Sequence, residues 1–543
     1  MNSVHYTMRG RWHAPRQDGH ALIDPPAGAL IEQLSTRSFP AGLPDVDCAG
    51  RPLAALAEET RGAVLKEAIH YSRKYRSVEI PGDARTVVVT GHQPELFHPG
   101  VWFKNFVAAH LAARLGGVAV HLVIDNDLPR GLTLKCPTWQ DTGVAVQRCP
   151  IDLGGPLWPY EDRPVRDRQL LRSASDRVAA CVGRWGVDAL VRDFWPILLQ
   201  AAERSDRIGY AIAEARHRFE ARWGLQTVEL PLSSVCRLAP VRWWFAWLLC
   251  DAPRLHREYN AALEEHQWEQ RRTSQQPAAT LRYEKPWYEL PFWAWTADHP
   301  VRQPLWCRVH RECIELSTRG RLRLCLPRCD VPGATDALAQ AEANRVRLRP
   351  RALLTTLTAR CLLGDLFIHG IGGAHYDQVT DRLATRLWGS APPAYATVTA
   401  TLWLPVQHTH VGQEEVTAAR VALRQLQFHP EAFVEGMNDP RVVGLVEEKE
   451  RWKRQVSASE RRLQYQTISR INEELQPYVE PLKRRWLERL EELERRHAVC
   501  QVLDARDYSF VLFPEDYLKD AFSRLWEASC ATGLSVVSRH PHS

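Results

Sequence analysis

Two carboxylates, Asp125 and Asp127, stand two residues apart directly after the apolar run Val118 to Ile124, with Asn126 between them. Acidic groups at the carboxyl end of a buried strand can bind a ribose, a Mg2+ ion or a substrate amine, or take a proton as a general base. The same residue types also build plain turns. A second cluster precedes them: Gly91-His92-Gln93-Pro94-Glu95-Leu96-Phe97-His98-Pro99-Gly100, with Lys104 one turn into the helical stretch that follows. His92, Gln93 and His98 offer donors and acceptors, and an ammonium at position 104 can hold a carboxylate or a phosphate. Lysine is scarce in this chain, nine among 70 basic residues, so its placement there is informative. The third cluster is His369-Gly370-Ile371-Gly372-Gly373-Ala374-His375-Tyr376-Asp377. Gly370, Gly372 and Gly373 let backbone amides approach an anion closely, and Asp377 in the first helical turn complements the helix dipole. Arg349-Pro350 lies just upstream. Neither glycine loop is a dinucleotide fingerprint or a Walker loop.

These clusters need strands and helices to carry them. Arg85 to Thr90 reads as a short buried strand, Val101 to Leu115 as a helix, and Val118 to Ile124 as a second strand, a unit long enough for a parallel crossover. Arg345 to Leu348 and Leu366 to His369 read as further strands, with helices at Ala352 to Leu363 and His375 to Leu387, and a β-rich run from Thr397 to Leu404. The chain is therefore α/β. Residues 1–159 form the first part of the core, 160–265 a helical connecting segment with one strand at Gln226 to Leu232, 266–335 a β-rich insertion, and 336–435 the second part of the core. From 436 to 500 the composition turns to Glu, Arg, Lys and Gln. There Leu482, Trp486, Leu490, Leu493 and His497 step by four, four, three and four, a coiled-coil seam. Pro477 and Pro481 predict two helices folded back or kinked. Residues 501–543 complete the chain and pack back on the core.

Composition narrows the classes. The 543 residues are 45% hydrophobic and 25% charged, which excludes intrinsic disorder. No apolar run approaches the roughly 20 residues of a membrane helix, and Met1 to Pro15 lacks the apolar core of a signal peptide, so the cytoplasm is the expected compartment and no membrane partner is expected. A net charge of +6 without a basic tail gives no reason to expect nucleic acid, whereas an arginine-rich surface suits small anionic substrates. The thirteen cysteines form no CxxC and are expected to be reduced thiols. Cys307, His310, Cys313, Cys325 and Cys329 lie close together, but Leu305 to Leu316 alternates like one strand and Arg321 to Leu326 like its partner, so a β-hairpin is the better reading than zinc. No metal is assigned to the site. Ser233-Ser234 and Tyr259-Asn260 are lesser candidates, no GxSxG elbow is present, and the tryptophan pairs read as packing.

At these clusters the chain resembles a known family, the cysteine-adding enzymes of bacillithiol biosynthesis (BshC). The family's TGQQPGL-type loop and its helical lysine are matched by Thr90-Gly91-His92-Gln93-Pro94-Glu95-Leu96 and Lys104, and its acidic motif by Ile124-Asp125-Asn126-Asp127. Its RP pair and glycine turn are matched by Arg349-Pro350 and Gly370 to Tyr376, and Phe513-Pro514 with Leu518 also fits. The chain departs from the pattern at His92, Ile124, Asn126 and Gly373.

The resemblance implies a Rossmann-like parallel-sheet core with inserted helical and β-rich connecting segments, and a C-terminal α-helical coiled-coil domain that forms a homodimer. It implies a ligase that joins the carboxyl of cysteine to the amine of glucosaminyl-malate. Asp125, Asp127 and His92 are then the catalytic candidates. Gln93, Lys104, Asn126, Arg349 and Tyr376 are the substrate-binding ones, and Gly370, Gly372 and Gly373 cradle an anion or nucleotide. An unactivated carboxylate does not form an amide spontaneously in water, so ATP or ADP, with or without Mg2+, is the cofactor to test. A nucleotidyl transferase on a similar core, or a non-catalytic metabolite-binding coiled-coil dimer, is the alternative.

Overall fold

The computed structural model describes residues 12–36, 42–82, 84, 86–129, 132–140, 143–269, 278–320, 322–454, 461–532 and 536–538. Most of the polar N-terminal stretch, Arg85, Arg321 and residues 455–460 of the charged region lie outside them. The chain divides into two compact units, one drawn from residues 1–136, 147–405 and 506–543, the other from 137–146 and 406–505.

In chain order the strands are β1 (His20–Asp24), β2 (Val87–His92), β3 (Val118–Val123), β4 (Thr133–Gln140), β5 (Gly143–Pro150), β6 (Thr227–Pro231), β7 (Tyr283–Glu284), β8 (Trp287–Thr296), β9 (His299–Val309), β10 (Cys313–Ser317), β11 (Arg323–Pro327), β12 (Val346–Pro350), β13 (Leu366–His369), β14 (Tyr395–Thr401) and β15 (Val536–Ser538). The main sheet of the first unit has seven strands in the order β15-β1-β14-β13-β2-β3-β6. Strands β14, β13, β2, β3 and β6 are parallel. The chain enters this parallel set at its middle, β2, winds outward through β3 to β6, and returns to add β13 and β14 on the other side. The order therefore reverses between β2 and β13. Connections leave the two strand ends in opposite directions at that point, which is the usual ligand position in such sheets. The run Val87-Val88-Val89 is fully buried on both faces, as the interior of a parallel sheet requires.

Helix Pro99–Arg114 carries the chain from β2 to β3 and starts with Pro99, whose missing N–H costs nothing in a first turn. A Cβ on Gly100 would sit 2.0 Å from the Ala400 carbonyl oxygen, so only glycine lets this helix begin against the end of β14. The C-terminal segment returns to the same loop, where the Phe510 N–H donates to the Phe97 carbonyl at 2.9 Å.

The second sheet is antiparallel, in the order β11-β10-β9-β8-β12, with β7 on β8. It corrects two expectations. The strand at 346–350 pairs antiparallel with β8 and so belongs here, not in the parallel core. The alternating run from Leu305 to Leu316 is two strands, because the His310 N–H donates to the Cys313 carbonyl at 2.8 Å and closes a tight turn. In this meander Cys307 is buried, while the Cys313 and Cys325 sulfurs lie 3.4 Å apart.

The second unit is helical. Its segment 406–505 includes helix Gln413–Phe428, which packs along Arg461–Leu503. That last helix runs 43 residues through both Pro477 and Pro481, where a break or kink was expected. Both prolines are exposed, so water can serve the carbonyls they leave without an N–H partner. Meanwhile Ile471, Leu475 and Val479 bury their side chains against Leu426, Val434, Val442 and Leu445. Farther along, Trp486, Leu490 and Leu493 meet Val411, Val416 and Ala419, so the seam of wide-spaced apolar residues is covered by this chain's own helix. No helix among the described residues is long and apolar enough to cross a membrane.

Candidate functional site

Strand register brings the clusters together. Thr90 lies beside Ile368, His92 beside Val123, and Val123 beside Pro231. The loop after β2, the Asp-Asn-Asp segment after β3, the short helix Leu232–Arg237 after β6 and Gly370 after β13 thus share one end of the parallel sheet.

Where the strand order reverses between β2 and β13, Lys104 reaches back from its helix. Its ammonium donates to the Gly91 carbonyl at 2.9 Å. Its stem passes Gly370 so closely that a Cβ there would lie 3.8 Å from Lys104 Cδ. Lys104 is 3% exposed, and among the described residues it has no carboxylate partner. Burial, followed by the positive charge of Arg216, brings its pKa from 10.5 down to about 7. Gly370 is the N-cap of the 18-residue helix Ile371–Trp388 and offers no side-chain cap, so among the described residues the first N–H groups have no side-chain acceptor. A buried amine and an uncapped helix N-terminus side by side favour an anion.

Gly373 has a steric reason to be glycine, because a Cβ would fall 2.4 Å from His369 Nδ1. His369 is pressed against that turn, with Nε2 2.6 Å from Asp377 Oδ2. Asp377 is not in the first turn, where it was expected to complement the dipole, because the helix already begins at Ile371. Asp377 is fully buried, it also faces Arg360 Nη1 at 3.1 Å, and its pKa lies far below the usual carboxylate range although burial alone would raise it. His92 packs edge-on to Phe97, and burial, then Lys104, drive its imidazole to the neutral form.

The acidic side is built differently. Asp125 is fully buried and accepts from Tyr210 Oη at 2.8 Å and from the Ser233 N–H at 3.0 Å. Burial first and the charge of Glu161 second push its pKa up to about 6, the range of a working acid–base group. For Asp127 burial also pulls upward, but donors outweigh it and the pKa is lowered. Gln93 Nε2 donates to Oδ2 at 2.8 Å, and Arg302 Nη1 and the Leu128 N–H donate to Oδ1 at 2.9 Å each. Two aspartates two residues apart are thus held in opposite states, one proton-hungry and one firmly ionised. Asn126 turns away, donating to the Pro350 carbonyl at 2.9 Å, and so ties the acidic loop to the second sheet.

Arg349 does not have the substrate-holding place expected of it. Its guanidinium is 1% exposed and forks onto Glu161 at 2.9 and 2.6 Å and onto Glu342 at 2.9 and 3.0 Å. With those donors committed, it fixes Glu161, whose N–H in turn donates to the Asp125 carbonyl at 2.7 Å. Tyr376 is half-buried against the apolar core, and Gly372 has open space where a side chain would be. Asn260 is structural, holding both the N–H and the carbonyl of Leu281.

The sequence points to none of Tyr210, Glu161 and Arg302, and Ser233, a lesser candidate there, donates its N–H to Asp125. Arg302 comes from β9 and stacks on Trp293 with its charge 4.5 Å from the ring centre, while Arg351 covers the same ring at 4.0 Å. Nothing in the sequence sets Arg302 apart from the many other arginines of this chain. No protein-family model matches the chain, and no curated protein matches it.

Proposed function

We propose that this chain is an amide-forming ligase for small anionic substrates, similar to the cysteine-adding enzymes of bacillithiol biosynthesis, built on a Rossmann-like core. The observation that carries the reading is Lys104, a buried amine with no counter-ion among the described residues, set beside the N-terminus of helix Ile371–Trp388 where the strand order reverses. A carboxylate or phosphate supplies the missing charge.

In this reading Lys104 and the amides after Gly370 hold the anion. Asp127, anchored by Gln93 and Arg302, holds the ammonium of the amine substrate. Asp125 accepts the proton as the amine attacks, and Tyr210 and Ser233 aim its carboxylate. The same anion site fits the phosphates of a nucleotide, which when bound would supply the activation that a free carboxylate lacks. Homodimerisation through the helical unit belongs to the same proposal, supported by the exposed apolar side chains of Val443, Leu463, Tyr465 and Leu487.

The test is the rate of amide product, followed by mass spectrometry, against pH. Asp125 must be ionised and Lys104 protonated, so kcat/KM rises as pH climbs through about 6 and falls beyond about 7. Asp125→Asn should cost about 10²- to 10⁴-fold. Tyr210→Phe, which removes a donor from the ionised carboxylate, should move the acid limb upward and spare much of the maximum. A rate in Asp125→Asn equal to wild type would remove the proposed base.

A further inference from the structure

Apart from this site, four metal-capable side chains converge in the helical unit. His408 and His410 come from the loop before helix Gln413–Phe428, while Cys500 and Asp504 stack one turn apart at the end of helix Arg461–Leu503. One ligand atom from each lies within 4.8 Å of all the others. Zinc at about 2.0–2.3 Å from four tetrahedral ligands separates them by about 3.3–3.8 Å, so a small contraction suffices.

The hydrogen bonding around the cluster prepares it for a cation. His408 Nδ1 lies 2.8 Å from the Val406 carbonyl, which can only accept, so Nδ1 carries the proton. In a neutral ring Nε2 then presents a lone pair, and it faces Asp504 Oδ1, another lone pair, at 2.9 Å. Both atoms are shielded from solvent and neither has a hydrogen-bond partner. Two lone pairs at that distance repel unless a positive charge sits between them. His410 Nδ1 is 3.0 Å from the other Asp504 oxygen. The Val411 N–H points at Cys500 Sγ at 3.3 Å, the backbone donor that a thiolate ligand prefers, and Cys500 is 4% exposed. Cys500 Sγ also lies 3.5 Å from the Thr409 carbonyl, on the stretch of chain that brings His408 and His410 to the cluster.

We propose that His408, His410, Cys500 and Asp504 bind one Zn2+ ion. Two imidazoles, a thiolate and a carboxylate are a zinc ligand set, and four protein ligands make the site closed and structural. The backbone bond at His408 Nδ1 fixes that ring's tautomer, as outer partners of metal ligands do. His408 and Asp504 stand at the two ends of the segment 406–505, so the ion would clasp the helical unit where its chain begins and ends.

The full-length chain, produced with zinc and purified without chelator, should carry one equivalent of zinc by plasma mass spectrometry. After exchange with Co2+ it should show tetrahedral d–d bands and a thiolate charge-transfer band. Cys500→Ser should lose the charge-transfer band. His410→Ala should lose the metal, and its side chain is 60% exposed, so folding survives the change. Chelator should lower the melting temperature of wild type but not of His410→Ala. Cys149→Ser, in the buried group Cys136, Cys149 and Cys181, should change none of this. Zinc absent from wild type, zinc kept in full by both His410→Ala and Cys500→Ser, or zinc lost in Cys149→Ser would overturn the proposal.

Discussion

Replacing Lys104 with methionine should abolish turnover and anion binding while making the protein more stable at neutral pH. Most substitutions that destroy a site also weaken the fold or leave it unchanged, so the opposed signs make this variant diagnostic. The side chain is buried, and its pKa falls from 10.5 to about 7 because burial disfavours the ammonium. At pH 7, where the folded-state lysine is about half protonated, that depression corresponds to roughly 4 kcal/mol held against the folded state. Methionine is close in volume and carries no charge. It leaves the Gly91 carbonyl without its donor, at a cost of about 1–3 kcal/mol, so a net gain of roughly 2 kcal/mol is expected. The pH dependence has a fixed sign. A lowered lysine pKa means that the unfolded chain binds more protons between about 7 and 10.5, so the wild-type deficit is full below 7 and vanishes as pH approaches 10.5. Urea midpoints of the two proteins should therefore converge on the alkaline side. A Lys104→Met protein that is less stable than wild type at pH 7 would mean that a partner, not solvent exclusion, governs this amine.

Arg349→Met should be the most destabilising single change at the sheet end, by about 3–5 kcal/mol, because it leaves the buried Glu161 and the half-buried Glu342 without their principal cation. Glu161 and Glu342 are both gripped by the Arg349 fork, and Arg347 remains as a weaker partner to each. The double variant Arg349→Met/Glu161→Gln should recover part of that loss, since the stranded charge and not the missing arginine carries most of the cost. Urea unfolding of the single and double variants decides the matter. A direct substrate role for Arg349 would instead give a stable variant with a raised KM, and no recovery in the double.

The three chemical clusters were legible because each joins a strand to a following segment with unusual residues. A lone lysine in an arginine-rich chain marked the Gly91 loop, and three glycines marked the turn after His369. The acidic pair showed itself by following a run with no other charge. Arg349 was recognised as important, but residue type gives only a charge, and its partners Glu161 and Glu342 lie on other segments. Tyr210 and Arg302 are invisible for the same reason, as ordinary members of a helix and a strand until the fold places them beside Asp125 and Asp127. The parallel strands were readable from β-branched runs, whereas β12 was assigned to the wrong sheet because a strand's sequence does not name its neighbour. Pro477 and Pro481 do not end the helix, because both are exposed and water can serve the carbonyls left without an N–H partner. The His408 to Asp504 convergence needed a helix of 43 residues to bring its halves together.

The measurement that tests the central claim most directly is a thermal-shift comparison of wild type and Lys104→Met. Glucosaminyl-malate, cysteine, and ATP or ADP with and without Mg2+ would be added singly and in pairs. An anion held at Lys104 raises the melting temperature of wild type in proportion to RT ln(1 + [L]/Kd), and the variant should show no such rise. Equal shifts in the two proteins would place the anion elsewhere, and no shift with any of these ligands would contradict the ligase reading.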